Sequence, residues 1–168
     1  MIVLKEFNSQ DFSRLISWID SPKFLLQFAG TRFSFPLTHQ QLEKHIASEN
    51  QHVFKAILMP ENQVIGHAEI QIYDSYKGLV CRVLIGERKF RGIGLGKKVM
   101  QAICRKGFED LHLMQLDLNV YDWNTPAIKC YTALGFHVIP FQKRQVPFDG
   151  EIWTSIRMRR LAQASSNQ

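Results

Sequence analysis

Residues 91–98 read Arg-Gly-Ile-Gly-Leu-Gly-Lys-Lys, and this stretch is the most informative part of the chain. It follows a β-type run at 80–85 and opens an amphipathic segment that predicts a helix over 94–109. A glycine-rich turn between a strand and a helix is a natural anion site, because free N–H groups and the helix dipole point out of the first turn. The predicted helix has an apolar side and a more polar side, formed respectively by Leu95, Val99, Ala102 and Ile103 and by Lys97, Lys98, Gln101 and Arg105.

The spacing of this loop excludes two familiar phosphate sites. A Walker A loop would need glycine at position 91 and Ser or Thr at position 98, where the chain has Arg91 and Lys98. A dinucleotide fingerprint that starts at Gly92 would need a glycine at position 97, which is Lys97. The pattern is instead Arg-x-x-Gly-x-Gly. At this point a turn that binds no ligand remains an alternative.

A second motif follows the predicted strand at 113–120. It reads Asn-x-x-Ala-x-x-x-Tyr-x-x-x-Gly-Phe over 124–136 and predicts a short helix. Thr125 is the expected N-cap and Pro126 suits the first helical position. Asn124 could also cap this helix, but with Thr125 in that role its side chain is expected to contact a ligand.

The two motifs, in this order, resemble the two signatures of the GNAT superfamily, the acetyl-CoA-dependent N-acetyltransferases. The resemblance is close over residues 79–136, and the second motif looks most like the branch that includes ribosomal-protein N-terminal and polyamine acetyltransferases. It implies that acetyl-CoA is the co-substrate and that no metal is needed. It also implies a pyrophosphate loop, an asparagine on the CoA arm and a tyrosine facing the thioester sulfur. The cofactor-binding residues expected on this basis are Leu84, Ile85, Arg91, Gly92, Ile93, Gly94, Leu95, Gly96, Lys97, Asn124, Ala127 and Tyr131.

Attack of an amine on an acetyl thioester has three chemical needs. A typical alkylamine with a pKa of about 10 is mostly protonated at neutral pH and must lose a proton. The developing oxyanion needs a hydrogen-bond donor, which the resemblance places in the backbone of the strand at 83–86. The departing thiolate benefits from a proton, and Tyr131 is the candidate donor. The alternative for Tyr131 is packing, since Ile128 and Leu134 share its helical face.

The general base is harder to identify. Many GNAT enzymes have a glutamate on the strand before the glycine loop, but residues 79–85 contain no carboxylate. Glu69, on the preceding strand, is the candidate catalytic base, with Asp117 or a water chain as alternatives. Glu87 is too near the phosphate end of the site. Each of these acids also has a structural or surface interpretation, and no single carboxylate is expected to be indispensable.

The chain of 168 residues, with 45% hydrophobic residues, predicts one domain over 1–161 and a disordered tail at 162–168. No apolar run reaches membrane-spanning length and no secretory signal is apparent, so a cytoplasmic location is expected. The three cysteines and six histidines show no zinc-type spacing. The net charge of +6 fits a polyanionic cofactor, and it also fits nucleic acid, although the basic residues do not form one run.

The predicted element order is β-α-α-β-β-β-α-β-α-β-β. It indicates an α+β fold with a mixed, mostly antiparallel β-sheet flanked by helices, as the GNAT resemblance implies. Residues 21–37 are predicted to be irregular, and the phenylalanines in this segment (Phe24, Phe28, Phe33 and Phe35) could be either core or the wall of an acceptor pocket. Residues 142–150 are predicted to be a loop with an Asp149-Gly150 turn.

The sequence therefore predicts an enzyme that moves the acetyl group of acetyl-CoA to a primary amine by direct attack in a ternary complex. The acceptor, a small-molecule or peptide amine, stays open. The rival hypothesis is a non-catalytic CoA-binding sensor or regulatory module. A nucleic-acid-binding protein is favoured by charge alone, so neither nucleic acid nor membrane is an expected partner. The expected assembly is a monomer or a homodimer.

Overall fold

A computed structural model describes residues 1–164, and its centre is one mixed β-sheet. The strands of the described residues lie side by side in the order β1-β2-β3-β4-β5-β7-β6, and among them only β4 and β5 run parallel. The predicted α+β class and mostly antiparallel sheet are confirmed. The seven strands of the described chain are β1 (Ile2–Glu6), β2 (Gln51–Leu58), β3 (Gln63–Asp74), β4 (Lys77–Ile85), β5 (Gln115–Tyr121), β6 (His137–Phe148) and β7 (Glu151–Leu161).

Five α-helices flank this sheet within the described residues. They are α1 (Phe12–Trp18), α2 (Pro22–Ala29), α3 (His39–Ile46), α4 (Leu95–Arg105) and α5 (Thr125–Ala133). The helix predicted over 94–109 is α4 followed by one π-helical turn, Lys106–Asp110. Thr38 caps α3 as its sequence position indicates, because its hydroxyl accepts a hydrogen bond from the N–H of Gln41.

The prediction of an irregular segment at 21–37 is wrong for its first half. Residues 22–29 form α2, where Ser21 Oγ accepts a hydrogen bond from the N–H of Phe24 at 3.1 Å. Pro22 suggested a break in the chain, but proline is tolerated in the first helical turn, where its missing N–H would have no intrahelical partner. Gly30 then ends the helix with a φ of +55°.

The predicted loop at 142–150 is also mostly strand. Residues 142–148 belong to β6, and Phe148 pairs directly with Glu151 of β7. The turn between them is confirmed: Asp149 and Gly150 have φ values of +49° and +77°, as a two-residue hairpin of the Asp-Gly type requires. The exposed side chains of β6 obscured this strand, because it lies at the edge of the sheet and has no apolar alternation.

Among the described residues, the two larger apolar cores lie on opposite faces of the sheet, and a smaller cluster contains Leu26, Tyr121 and Trp153. Neighbouring residues of β2, Val53 and Phe54, belong to different cores, and successive side chains of a strand point to opposite faces. Helices α1 to α3 cover the face of Val53, and α4 covers the face of Phe54. The predicted apolar side of α4 is confirmed, since Leu95, Val99, Ala102 and Ile103 are buried there.

The end of the chain follows β7 closely at first. The N–H of Ala162 donates to the carbonyl of Met114 at 2.9 Å, and residues 162–164 have no helix or strand. The rest of the predicted tail, 165–168, lies outside the described residues. Across residues 1–164, no helix combines the length and the apolar character that crossing a membrane would require.

Candidate active site

A cleft opens where the two parallel strands of the sheet part. Pairing between β4 and β5 begins at Lys77 and Gln115, and its last pair is Val80 with Leu118. Two residues later Arg82 has a φ of +51°, and the register between β4 and β3 shifts at the same level. A bulge of this kind bends its strand and ends regular pairing. The C-terminal half of β4 therefore turns away from β5.

This parting creates a cavity of about 420 Å³. Its walls come from residues 79–84 of β4, residues 118–121 of β5 and one side of α2, and Asn124 and Tyr131 lie at its α5 side. The volume falls within the range of small-molecule sites, roughly 300 to 1,000 Å³. Phe24 and Phe28 of α2 line the cavity while Phe28 is also buried in the core beneath α1 to α3, so the phenylalanine-rich segment contributes to both.

The backbone of β4 beyond the last pair has free hydrogen-bonding groups on its β5 side. The carbonyl oxygen of Leu84 points toward β3, since it lies 2.5 Å from the place that a Cβ on Gly66 would occupy. Peptide groups alternate in direction along a strand, so Val83 and Ile85 present theirs toward β5, where the pairing has ended. Of the two residues predicted here, Ile85 offers its N–H, because its carbonyl accepts a hydrogen bond from Arg91, and Leu84 lines the cavity.

The glycine loop adopts the conformation of an anion-binding turn. Gly92 and Gly94 have φ values of +74° and +85°, which residues other than glycine rarely adopt. Gly94 is the N-cap of α4, so the first N–H groups of that helix have no intrahelical acceptor. Within residues 1–164, the N–H groups of Gly92, Ile93 and Gly94 also have no hydrogen-bond acceptor.

Gly96 differs from the other two loop glycines. Its φ lies outside the left-handed region, and the nearest atom to a Cβ at this position would be Cγ1 of Ile85, at 3.9 Å. Neither the backbone nor the surrounding protein therefore demands a glycine at position 96. Because Gly96 has no side chain, the space in front of the helix N-terminus is open. The next residue, Lys97, is exposed.

The side chain of Arg91 is held against the protein by hydrogen bonds. Its guanidinium donates from Nε to the carbonyl of Ile85 at 2.9 Å and from Nη2 to the carbonyl of Gly86. It also lies over the ring of Phe24, with 5.4 Å between Cζ and the ring centroid. The side chain thus ties the loop to the end of β4 and to α2 while keeping its positive charge beside the loop.

The start of α5 differs from the prediction. Asn124, not Thr125, is the N-cap, since its Oδ1 accepts a hydrogen bond from the N–H of Ala127 at 3.4 Å. Proline is at the start of the helix as predicted. Asn124 also lines the cavity, so its amide group Nδ2 remains available to a ligand while Oδ1 caps the helix.

Tyr131 lies on α5 with its ring against the core and its hydroxyl open to the cavity. The ring packs edge-on against Phe136, 6.3 Å away between centroids. Within residues 1–164 the hydroxyl has no hydrogen-bond partner, yet it is not a fully enclosed polar atom. Burial, with a smaller contribution from Cys130, raises the pKa of Tyr131 to about 12. The phenol is therefore a stable proton donor at neutral pH.

Glu69 is the centre of a buried polar network that sequence reasoning missed. Its carboxylate accepts hydrogen bonds from Nε2 of His45 at 2.8 Å, Nε2 of His67 at 2.8 Å and Nε of Arg82 at 2.6 Å. Nε of Arg32 donates to Nδ1 of His45 at 3.0 Å. In this arrangement Nδ1 of His45 accepts from Arg32 and Nε2 donates to Glu69.

The surroundings of Glu69 make it a weak base. Burial alone would raise its pKa, but the hydrogen bonds from His45 and His67 and the charge of Arg82 outweigh burial and hold the pKa well below its usual range. Glu69 also does not line the cavity, whereas Arg82 does. The geometry therefore does not support the predicted role of Glu69 as general base.

Asp117, the alternative base, lies in a structural ion pair. It is fully buried, accepts hydrogen bonds from Nε and Nη2 of Arg159 at 2.8 and 3.0 Å, and also accepts one from the hydroxyl of Tyr73 at 3.2 Å. Like Glu69, it is not part of the cavity wall. These contacts join β5 to β7 and give Asp117 a role in holding the sheet together.

The cysteines are free thiols. Cys81 lines the cavity, and burial raises its pKa to about 12 although Nη2 of Arg82 lies 3.0 Å from its Sγ. Burial also raises the pKa of Cys104 and of Cys130. Among residues 1–164, no group of three or more His, Cys, Asp or Glu side chains is placed to hold a metal ion.

The fold and this site define a class of protein. A glycine loop with free N–H groups at a helix N-terminus, and an asparagine and a tyrosine beside one cavity, are the features that the sequence resemblance implies for acetyl-CoA-dependent N-acetyltransferases, and the parting of β4 from β5 forms that cavity.

Comparison with known proteins agrees with this class. The model of the Acetyltransferase (GNAT) family matches residues 14–136, and the chain belongs to this family. It is an acetyl-CoA-dependent N-acetyltransferase, with acetyl-CoA as co-substrate. A relative from Nematostella vectensis, described as an N-acetyltransferase 9-like protein, is 22% identical over 170 residues, which cover 92% of this chain and 86% of the relative.

Solved structures show the same fold. The crystal structure of spermidine N-acetyltransferase from Vibrio cholerae in complex with CoA and spermine has a TM-score of 0.80 at 18% identity, with 95% of each chain covered. A dodecameric structure of spermidine N-acetyltransferase from the same organism, in an intermediate state, has a TM-score of 0.75 at 15% identity, with 95% of this chain and 93% of that chain covered.

Proposed function

We propose that this protein transfers the acetyl group of acetyl-CoA directly to the primary amine of a small molecule, with both substrates bound at once. The observation that carries the proposal is the cavity between β4 and β5, which brings the tyrosine hydroxyl of α5 and the unpaired peptide groups of β4 to one space. The volume of about 420 Å³ has room for the acetyl end of the donor and a small acceptor.

The CoA moiety is bound at two places in this proposal. The N–H groups of 92–97, at the positive end of the α4 dipole, hold the pyrophosphate, and Arg91 and Lys97 add charge beside it. The arm runs along the β5 side of β4, where the backbone groups of Val83 and the N–H of Ile85 are not used by β5. The amide of Asn124 contacts the arm from the other wall.

The chemical step forms one bond and breaks one. The neutral amine nitrogen attacks the acetyl carbonyl carbon, and the oxyanion that develops receives a hydrogen bond from a backbone N–H of β4. The carbon–sulfur bond then breaks, and the CoA sulfur takes the proton of the Tyr131 hydroxyl. Tyr131 then regains a proton from solvent. The extra proton on the acetylated nitrogen leaves to water.

No carboxylate acts as the base in this scheme. Glu69 and Asp117, the two candidates, are held by arginines behind the cavity wall. Glu69 instead acts as a positioning residue, because its carboxylate fixes the side chain of Arg82 in that wall. Water receives the proton, as the absence of a carboxylate in residues 79–85 indicates.

The setting of the reaction is proposed on other grounds. Three free cysteines suit a reducing compartment, so we place the enzyme in the cytoplasm. A monomer or homodimer stays a prediction, and the dodecamer formed by one structural neighbour makes the state of assembly a matter for direct measurement.

The experiment that tests the function follows release of the CoA thiol from acetyl-CoA against a panel of amines, with mass spectrometry of the acetylated product. Transfer to an amine, without an acetylated protein intermediate, is the expected result. A protein that binds acetyl-CoA with a defined affinity but transfers acetyl to no amine of any charge type would instead be a CoA-binding sensor.

A further inference from the structure

The charged residues of the cavity wall are all of one sign. Among residues 1–164, the wall contains the arginines Arg32, Arg82 and Arg144 and no aspartate or glutamate. They approach the cavity from three parts of the fold: the segment after α2, the bulge of β4 and the edge strand β6. Such convergence of cations on one small cavity selects a ligand by its charge.

Arg82 is partly neutralised, but it still presents a donor to the cavity. Its Nε bonds Glu69, and its Nη2 bonds Oε1 of Gln51 at 3.1 Å. Nη1 has no acceptor within residues 1–164. The only fully enclosed side-chain polar atom without a partner there is Nδ1 of His67, so Nη1 of Arg82 keeps access to the cavity.

The other two arginines have no carboxylate partner among the described residues. Arg32 uses only Nε, which donates to His45, and both of its terminal nitrogens are open. Arg144 forms no side-chain hydrogen bond within residues 1–164 and is exposed on β6. Glu69 balances Arg82 alone, so the cavity has a net positive environment from Arg32 and Arg144.

We infer that the acceptor is a small primary amine that carries an anionic group, a carboxylate or a phosphate, and that polycationic amines are disfavoured. This inference rests on the proposed function and names the substrate class of the same site. The planar guanidinium fork pairs with a carboxylate or phosphate through two parallel hydrogen bonds. A polyamine would bring several positive charges to the same walls and find no carboxylate there.

The arginines of the wall also explain how the reaction proceeds without a carboxylate as general base. A positive environment disfavours the protonated form of an amine and lowers its pKa. An acceptor whose anionic group is held by the arginines therefore places its nitrogen where the neutral, nucleophilic form is favoured. Water can then take the proton, and no carboxylate is needed in the wall.

The test compares matched pairs of amines that differ in one charge. One arm uses free amino acids of several side-chain sizes against their primary amides, and a second arm uses phosphoethanolamine against ethanolamine. Spermidine represents the polycations. For each amine, kcat/KM is measured by CoA thiol release with the full chain and saturating acetyl-CoA. The anionic member of at least one pair is expected to exceed its neutral partner by roughly 10- to 100-fold, the range of a hydrogen bond to a charged group.

Arg144→Gln removes one wall charge at an exposed position, and Arg105→Gln removes the same charge from the exposed side of α4, away from the cavity. Arg144→Gln should reduce the ratio of kcat/KM between the anionic and the neutral member of the preferred pair. The control, Arg105→Gln, should leave that ratio unchanged. Equal falls in both variants would overturn the inference, because they would assign the effect to net charge alone.

The outcomes separate the inference from the proposed function. Transfer with spermidine, or with the neutral members, preferred over the anionic members overturns the acceptor class and leaves acetyl transfer standing. If no amine turns over, calorimetric titration of the CoA-bound protein with the same pairs measures acceptor binding alone. Preferential binding of an anionic member then supports the class, and equal or absent binding overturns it.

Discussion

Nε of Arg82 lies 2.6 Å from Oε2 of Glu69, and the two side chains face different parts of the molecule. Arg82 belongs to the cavity wall, whereas Glu69 is fully buried between His45 and His67. The bulge at Arg82 thus brings a cavity residue into contact with a buried anion. This contact changes the role expected for Glu69 from a base to a support.

Glu69→Gln should destabilise the protein and depress activity equally at all pH values where it stays folded. Removing one partner of a buried ion pair costs about 3 to 5 kcal/mol, because Arg82 would remain buried without its counter-charge. Urea unfolding measures the loss of stability. A general base would behave differently: its loss would be largely restored at high pH, where free amine is abundant.

Asp117→Asn is the matched control for this variant. It also removes a buried carboxylate that pairs with an arginine, but on β5 and off the cavity wall. It should lower stability in the same way while the turnover of the folded fraction, per molecule, stays close to that of the parent. Activity restored at high pH in Glu69→Gln would contradict the positioning role.

The pH dependence of stability follows from the same contacts. The pKa of Glu69 is lower in the folded protein than its ordinary value of 4.5, so its ionised form stabilises the fold above that value. This stabilisation is lost as the pH falls from about 4.5 toward the lowered pKa of the folded state. Acid unfolding, followed by circular dichroism, should therefore be less steep in Glu69→Gln than in the parent. An equally steep acid transition in both would show that Glu69 contributes nothing to it.

Gly96→Ala should weaken acetyl-CoA binding without harming the fold. Alanine is about 0.5 to 1 kcal/mol more favourable than glycine within a helix, so the melting temperature should hold or rise. Apart from its chain neighbours and its own helix backbone, the new methyl group meets no atom of residues 1–164 closer than 3.9 Å, and it would stand in the space in front of the helix N-terminus. Calorimetric titration with acetyl-CoA measures the affinity. Unchanged affinity would contradict the proposal that the CoA pyrophosphate binds at this position.

Gly94 gives a less direct test, and Gly150 supplies its control. Both have positive φ, at +85° and +77°, and at neither would an added Cβ lie within 4 Å of another part of residues 1–164. Alanine at either position should therefore cost similar backbone strain. Only Gly94→Ala should lower the affinity for acetyl-CoA, because Gly150 lies in the β6–β7 turn.

Local patterns predicted the parts of the site that local sequence forms. The glycine loop, the apolar side of α4 and the tyrosine of α5 depend on spacing within one segment, and the structure places them as the spacing indicates. The error at α2 was also local in origin, since Pro22 indicates a break unless Ser21 is recognised as a cap.

The parting of β4 from β5 and the network around Glu69 were beyond such patterns. In this network Glu69 meets Arg82 because β3 pairs with β4, and His45 reaches Glu69 from α3, so the contacts depend on tertiary structure. One signal was available. Arg82 is the charged residue in the otherwise apolar run 79–85, and a charge in that position requires a partner when it is buried.

Cys81→Ala should not abolish acetyl transfer, because the reaction passes through no covalent acetyl-cysteine intermediate. The thiol lines the cavity, but its pKa of about 12 leaves almost no thiolate at neutral pH, and the thiolate is the nucleophile. Intact-mass measurement of the parent mixed with acetyl-CoA alone should show an unmodified chain. An acetylated Cys81, Cys104 or Cys130 that disappears on addition of amine would refute direct transfer.

Tyr131→Phe should slow the chemical step while sparing binding and stability. The substitution keeps the ring against Phe136 and deletes a hydroxyl that has no partner within residues 1–164. General-acid catalysis is typically worth about 10² to 10⁴ in rate, and CoA thiolate is a fairly good leaving group, so a loss of about 10² is expected. The exposed Tyr76 supplies the control, since Tyr76→Phe removes the same group away from the cavity.

The pH profile distinguishes the acid from a packing residue. Burial raises the pKa of Tyr131 to about 12, above the value of 10.0 for an ordinary tyrosine, so the phenol keeps its proton throughout the range in which the amine becomes neutral. In the parent, kcat should therefore rise with pH as the amine loses its proton and show no fall near pH 10. A Tyr131→Phe variant with the rate of the parent on its best acceptor would make Tyr131 a packing residue, and the CoA thiolate would then leave without its help.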